Sequence, residues 1–147
     1  MAVLERLMRR HFAPAAPAVA PPVETMPPRA AREAVARGGD LLTRWAPDWY
    51  LPKYIDLTAL DVANGERCVL AQFGRNHPLG RALVSQALKR LTWQYCGNCT
   101  YGAMQRALGI SIPGVPQSMG FLASDKGATY EELTQAWRDY IVALRCR

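Results

Sequence analysis

Acidic side chains are missing from a long central stretch of this 147-residue chain: none occurs between Glu66 and Asp125. That stretch carries Arg67, Arg75, Arg81, Lys89, Arg90 and Arg106, in a chain of formal net charge +6. If the segment folds as a unit, some face of it is positive and attracts phosphates and acidic protein surfaces through a Coulomb field. The plainer reading is a solvated face with no dedicated ligand. Long apolar runs are missing too. No stretch approaches the ~18 consecutive apolar residues of a membrane span. Residues 1–12 hold no continuous apolar block ahead of a small-residue cleavage site, so the expected location is cytoplasmic. Nor is there a glycine-rich phosphate loop, a helix-turn-helix register or a zinc-finger spacing, which removes the readiest signatures of nucleotide and nucleic-acid binding.

Half of the residues are apolar, enough to build a core and to exclude a wholly disordered chain. Three zones follow. Residues 1–12 place Val3, Leu4, Leu7 and Met8 at helical spacing opposite Arg6, Arg9 and Arg10, the pattern of a short basic amphipathic helix. Twelve residues need a surface to lie on: the protein's own body, a partner groove or, less favoured, an anionic membrane. Residues 13–28 hold Pro14, Pro17, Pro21, Pro22, Pro27 and Pro28 and read as an extended linker. Residues 29–147 read as one helical domain.

Within that domain residues 29–38 are helix-forming, with Gly38-Gly39 as a stop and Asp40 capping a further turn that Pro47 ends. Trp49 and Tyr50 are expected to pack onto the body. Residues 55–62 alternate only loosely, as a short strand or an extended lead-in would, and the fold has room for a short strand pair near 54–62. Asn64 is read as the cap of a helix that Gly74 terminates, and His77 or Asn76 as the cap of the next, with Pro78 at its first position. Leu79, Leu83, Val84, Leu88, Leu91 and Tyr95 recur at helical spacing. A short helix carries Tyr101, Met104 and Leu108 inward and ends at Gly109. Residues 110–120 form a loop. Thr129 and Glu132 make a capping box for a last helix striped by Leu133, Trp137, Tyr140, Ile141 and Leu144. The expected fold is all-α, a compact bundle of about five helices. Its expected core includes Leu57, Leu60, Val69, Leu70, Phe73, Leu83, Leu91, Met104, Phe121, Leu133, Trp137 and Ile141.

The runs Ile55-Asp56-Leu57, Leu60-Asp61-Val62, Asn64-Gly65 and Cys68-Val69-Leu70-Ala71-Gln72 are followed by Gly120-Phe121, Tyr130, Leu133-Thr134 and Ala136-Trp137-Arg138. In this order they resemble an uncharacterised family of short proteins associated with actinobacterial phages and related bacterial genomes. The family pattern has glycine where Ala71 stands and a shorter middle, without the helices of 77–108. The resemblance implies kinship and brings no activity, fold or catalytic residue.

Of the four cysteines, Cys96 and Cys99 form a single Cys-x-x-Cys. At a helix start such a pair lowers the first thiol's pKa and supports thiol–disulfide exchange, but the helical pattern before it lacks the strand of a thioredoxin-like setting. The pair could also be half of a zinc site, with Cys68 and His77 as the plausible residues to complete it, apart from Cys146 and the remote His11. Cys68 with His77 as base is the one nucleophile pairing available; small buried thiols are the plainer reading for all of them. Asp56 and Asp61 are read as structural or solvated. Trp93, Tyr95 and Tyr101 among the arginines suit base stacking, although Tyr95 and Tyr101 also fit the core-facing pattern. With no complete catalytic constellation, the reading is a non-enzymatic binding or accessory protein. It meets nucleic acid or an acidic partner through Arg81, Lys89, Arg90 and Arg106 and needs no cofactor. A cysteine-dependent protein, zinc-stabilised or redox-active, is the alternative.

Overall fold

The structure, a computed structural model, describes residues 26–90 and 100–147. The amphipathic pattern of 1–12, most of the 13–28 linker, and Leu91, Trp93, Tyr95, Cys96 and Cys99 lie outside the described residues. Six helices run through the described part: α1 Arg29–Trp45, α2 Val69–Asn76, α3 Pro78–Arg90, α4 Thr100–Ala107, α5 Val115–Ser118 and α6 Tyr130–Arg145. The fold is all-α, and among the described residues none of these helices is long and apolar enough to cross a membrane. Two groupings organise it. Helix α1 lies along α6 with the one-turn α5 beside it, while α2, α3 and α4 pack on one another pairwise. A continuous core joins the two, from Val35 and Leu42 through Trp49, Leu70 and Phe73 to Trp137 and Ile141.

The last helix forms as its sequence dictates. Thr129 accepts the Glu132 amide while the Glu132 carboxylate accepts the Thr129 amide, closing the capping box. Leu133, Trp137 and Ile141 are fully buried along its inner stripe. Gly109, at φ +73°, ends the run of α4 in the left-handed conformation that glycine adopts without strain.

Four expectations are corrected. Gly38-Gly39 does not stop α1, which continues to Trp45. Both glycines are contact points: a Cβ on Gly38 would strike the Met119 carbonyl oxygen, and one on Gly39 would strike the Tyr140 ring. Gly74 likewise does not end α2. It is buried where a Cβ would crowd Thr100, Met104 and Val84, and the helix runs on to Asn76. Asn64 does not cap α2. Its Oδ1 accepts the Glu66 amide in a local turn, its carbonyl accepts the Arg67 and Cys68 amides, and the helix starts only at Val69 with Cys68 as N-cap.

The fourth concerns the strand pair near 54–62, which is a series of turns. Asp56 Oδ1 accepts from the Thr58 amide and hydroxyl, and Asp61 Oδ1 from the Ala63 amide, so the side chains curl the chain away from any ladder. Its backbone groups are satisfied by side chains from other elements instead. Gln72, buried in α2, accepts the Asp56 amide and donates to the Asp56 and Arg67 carbonyls. Thr134 Oγ1 accepts the Val62 amide at 3.0 Å. Arg138 donates to the Leu57 and Leu60 carbonyls, and Arg145, two turns on, to those of Tyr50 and Ile55. Leu57 and Leu83, expected in the core, are half-buried at its margin.

Candidate functional site

The acid-free stretch folds into the α2–α4 grouping. Helix α2 is its centre, with Val69 to Gly74 all buried. Helix α3 turns away from it at a single residue, His77. It comes so close that a Cβ on Gly80 would strike the Phe73 carbonyl, a contact only glycine permits. Leu79, Leu83 and Val84 of α3 are half-buried against the core. Arg81, Ala82, Ser85, Gln86 and Lys89 are exposed, at the i, i+4, i+8 and i+1, i+5 positions of one solvent face. Arg106 is exposed in the last turn of α4. Arg90 is the last residue of α3. The Arg75 guanidinium donates to the Glu66 carbonyl and so helps seat α2 on the preceding turn. The negative side chains lie on other segments, such as Glu33 and Asp40 on α1 and Glu131, Glu132 and Asp139 on α6.

Cys68 and His77 flank α2 and each has a structural task. Cys68 Sγ accepts the Ala71 amide at 3.5 Å. Its burial pushes the thiol up to about 11, which backbone amide donors only partly oppose. At pH 8 such a thiol carries on the order of 100-fold less thiolate than an ordinary cysteine. Site-resolved iodoacetamide labelling of the native protein at pH 8 is therefore expected to modify exposed Cys146 much faster than Cys68. The two rates should converge in urea. Equal native rates would show that Cys68 is reachable and ionised, the state a nucleophile needs.

His77 is buried between the rings of Tyr54, 4.4 Å away, and Phe73, 4.9 Å away. Its Nδ1 accepts the Leu79 amide at 3.1 Å and thereby caps α3, so the proton of the neutral ring sits on Nε2. Nε2 in turn lies 2.8 Å from Asp48 Oδ1. Both nitrogens are engaged, with the carboxylate on Nε2 and a backbone amide on Nδ1. The pair orients a cap, and no ring nitrogen is left for a Cys68 thiol. Among the described residues no three His, Cys, Asp or Glu side chains gather as a metal-ligand set, and Cys96 and Cys99 lie outside them.

The hydrogen bond from His77 holds the Asp48 carboxyl below its ordinary range, with the Lys53 ammonium a smaller contributor. A lowered folded-state pKa gives stability that is present above the unfolded value near 4 and is lost as pH falls through the folded one. Asp48→Asn is therefore expected to lower the urea midpoint at pH 6, with the gap to wild type narrowing as pH falls below about 4. The effect is small because Asp48 is half exposed. A gap independent of pH would mean that the carboxylate is not what holds the ring.

A cleft of about 470 Å³ opens between the 58–67 turns and the first two turns of α6. Asp61, Glu131, Arg67 and Arg138 stand on its walls with Tyr130 and Gln135. Charges of both signs leave it without a net field for one anion, and Arg138 already serves two backbone carbonyls there. Asp56 and Asp61 do not act as paired acids; each carboxylate holds its own turn.

Sequence reasoning missed Arg138 and Arg145 as backbone clamps and Gln72 as a buried bridge. The spacing of two arginines seven residues apart on one helix was the available signal. Comparison with known proteins finds no matching family model, no matching curated protein and no matching solved structure.

Proposed function

We propose that this is a non-enzymatic binding or accessory protein that meets a polyanion, nucleic acid in the first instance, through the basic surface of α2–α4. One observation carries the reading: three mutually packed helices expose Arg81, Lys89 and Arg106 in a stretch free of carboxylates, while the cleft elsewhere is of mixed sign. The field of such a surface reaches about 8 Å into physiological salt. Among the described residues, the other groups that suggested chemistry hold the fold: His77 caps a helix, Cys68 caps another, and Asp56 and Asp61 shape turns.

Fluorescence anisotropy with a labelled 20-nucleotide DNA, titrated from 50 to 200 mM salt, tests it. Binding is expected to weaken with a log–log slope of about −3, as for three or so neutralised phosphates. Arg81→Glu with Lys89→Glu should abolish it, while Arg32→Glu on α1 should not. Absence of binding at 50 mM salt would remove the nucleic-acid reading and leave an acidic protein surface as the partner to seek.

A further inference from the structure

The geometry points to α3 as the element that enters the major groove of double-stranded DNA. The proposal rests on the polyanion reading above and names its substrate. The helix is 13 residues long, about 20 Å at 1.5 Å per residue. A helix about 10–12 Å across matches a groove about 12 Å wide. Its solvent face has the chemistry such an insertion needs. Arg81 and Lys89 sit two turns apart on one row, spaced to reach phosphates on the groove walls. Between and beside them lie Ala82, Ser85 and Gln86, all exposed. Alanine and serine let the helix axis approach the base edges. Serine and glutamine donate and accept hydrogen bonds there, glutamine bidentately to adenine. No carboxylate of the chain lies on α3 or on the two helices that carry it; Asp48 stands at the start of α3, where the His77 ring holds it.

Rigidity of presentation is the second support. The inner face of α3 is fixed at three points: Gly80 against the Phe73 carbonyl, Val84 against Gly74, and the His77 cap on the Leu79 amide. A helix fixed in this way reads sequence without first paying to order itself. The single-residue corner at His77 is shorter than the three-to-four-residue turn of a helix-turn-helix. The proposal therefore concerns how α3 is presented, with α2 buried beneath it from Val69 to Gly74 and exposed only at Arg75 and Asn76.

The experiment uses the full chain, a labelled mixed-sequence 20-base-pair duplex, the matching single strand, and selection of preferred duplexes from a random pool. The duplex is expected to bind at least tenfold tighter than the single strand. Arg81→Ala with Lys89→Ala is expected to reduce the salt slope by about 2 without changing the selected sequence. Gln86→Ala is expected to leave the slope unchanged and to relax the selected sequence, the signature of a lost base contact. Circular-dichroism melting confirms that each variant is folded; Arg81, Gln86 and Lys89 are all exposed. Equal affinity for duplex and single strand, or a selected sequence that Gln86→Ala does not alter, overturns the major-groove assignment while leaving polyanion binding standing. No salt-dependent binding to either strand form overturns both.

Discussion

Replacing Trp137 with alanine is expected to lower the unfolding free energy by about 3–5 kcal/mol, the range for removing a large aromatic side chain from a core. The indole is fully buried in the core that joins the two groupings. Phe121 stacks on it at 5.4 Å between centroids, and Trp49 and Tyr140 meet it edge-on at 6.0 and 6.1 Å. Its Nε1 donates to the Gly120 carbonyl at 2.7 Å, a bond that no small side chain replaces and whose loss orphans a buried acceptor. Trp137→Phe retains most of the volume and loses that bond, so it is expected to fall between wild type and alanine. Urea unfolding followed by circular dichroism measures both. An alanine variant with the wild-type midpoint would mean that α6 does not run through the centre of the core.

The caps and the last helix were more legible than the glycines and the irregular segment. Thr129 with Glu132, and the stripe from Leu133 to Leu144, use short-range rules that act within one helix, and they hold. So does His77 ahead of Pro78. The glycines misled because propensity describes an isolated helix. Gly38, Gly39 and Gly74 weaken a lone helix by about 1 kcal/mol each relative to alanine, yet here each marks where a second element approaches too closely for a Cβ. The 54–68 segment was illegible for a related reason. Its conformation is written mostly in other segments: Gln72, Thr134, Arg138 and Arg145 supply the hydrogen bonds its backbone lacks.

That network includes many residues of the motif runs at 55–72 and 120–138. Asp56 meets Gln72 through it, Val62 meets Thr134, Leu57 and Leu60 meet Arg138, and Phe121 stacks on Trp137. Together these contacts hold an irregular segment against two helices. The basic face of α3 contributes none of those motif positions. The charge gap was visible from the outset; what the sequence lacked was the partition of α3 into a buried and a solvent row, which Gly80 and the α2 corner decide in three dimensions.

A second large loss is expected from a substitution that ordinary helix rules would call favourable. Gly38→Ala removes backbone entropy from the unfolded chain and raises helix propensity, together stabilising by about 1 kcal/mol where space allows. Space is absent: the new methyl would overlap the Met119 carbonyl oxygen and stand 3.0 Å from Trp137 Cζ2 and 3.1 Å from Phe121 Cζ. The oxygen cannot retreat easily. The segment that carries it is tied to α1 by Arg37 Nε on the Ser118 carbonyl and to α6 by the Trp137 indole on the Gly120 carbonyl. Gly120 itself adopts φ +73° against Val35. Overpacking against a fixed backbone atom therefore outweighs the propensity gain, and a net loss of about 2–4 kcal/mol is expected. Two further glycines set the scale. Gly39→Ala meets the Tyr140 ring, a side chain able to swing outward, and should lose less. Gly65→Ala meets nothing within 4 Å and should be neutral or gain about 0.4–1 kcal/mol. The ordering Gly38 below Gly39 below Gly65 in urea midpoint is the outcome the packing demands. A Gly38→Ala protein as stable as Gly65→Ala would place α1 and the 118–120 turn farther apart than a methyl group, and the crossing on which Trp137 depends would have to be redrawn.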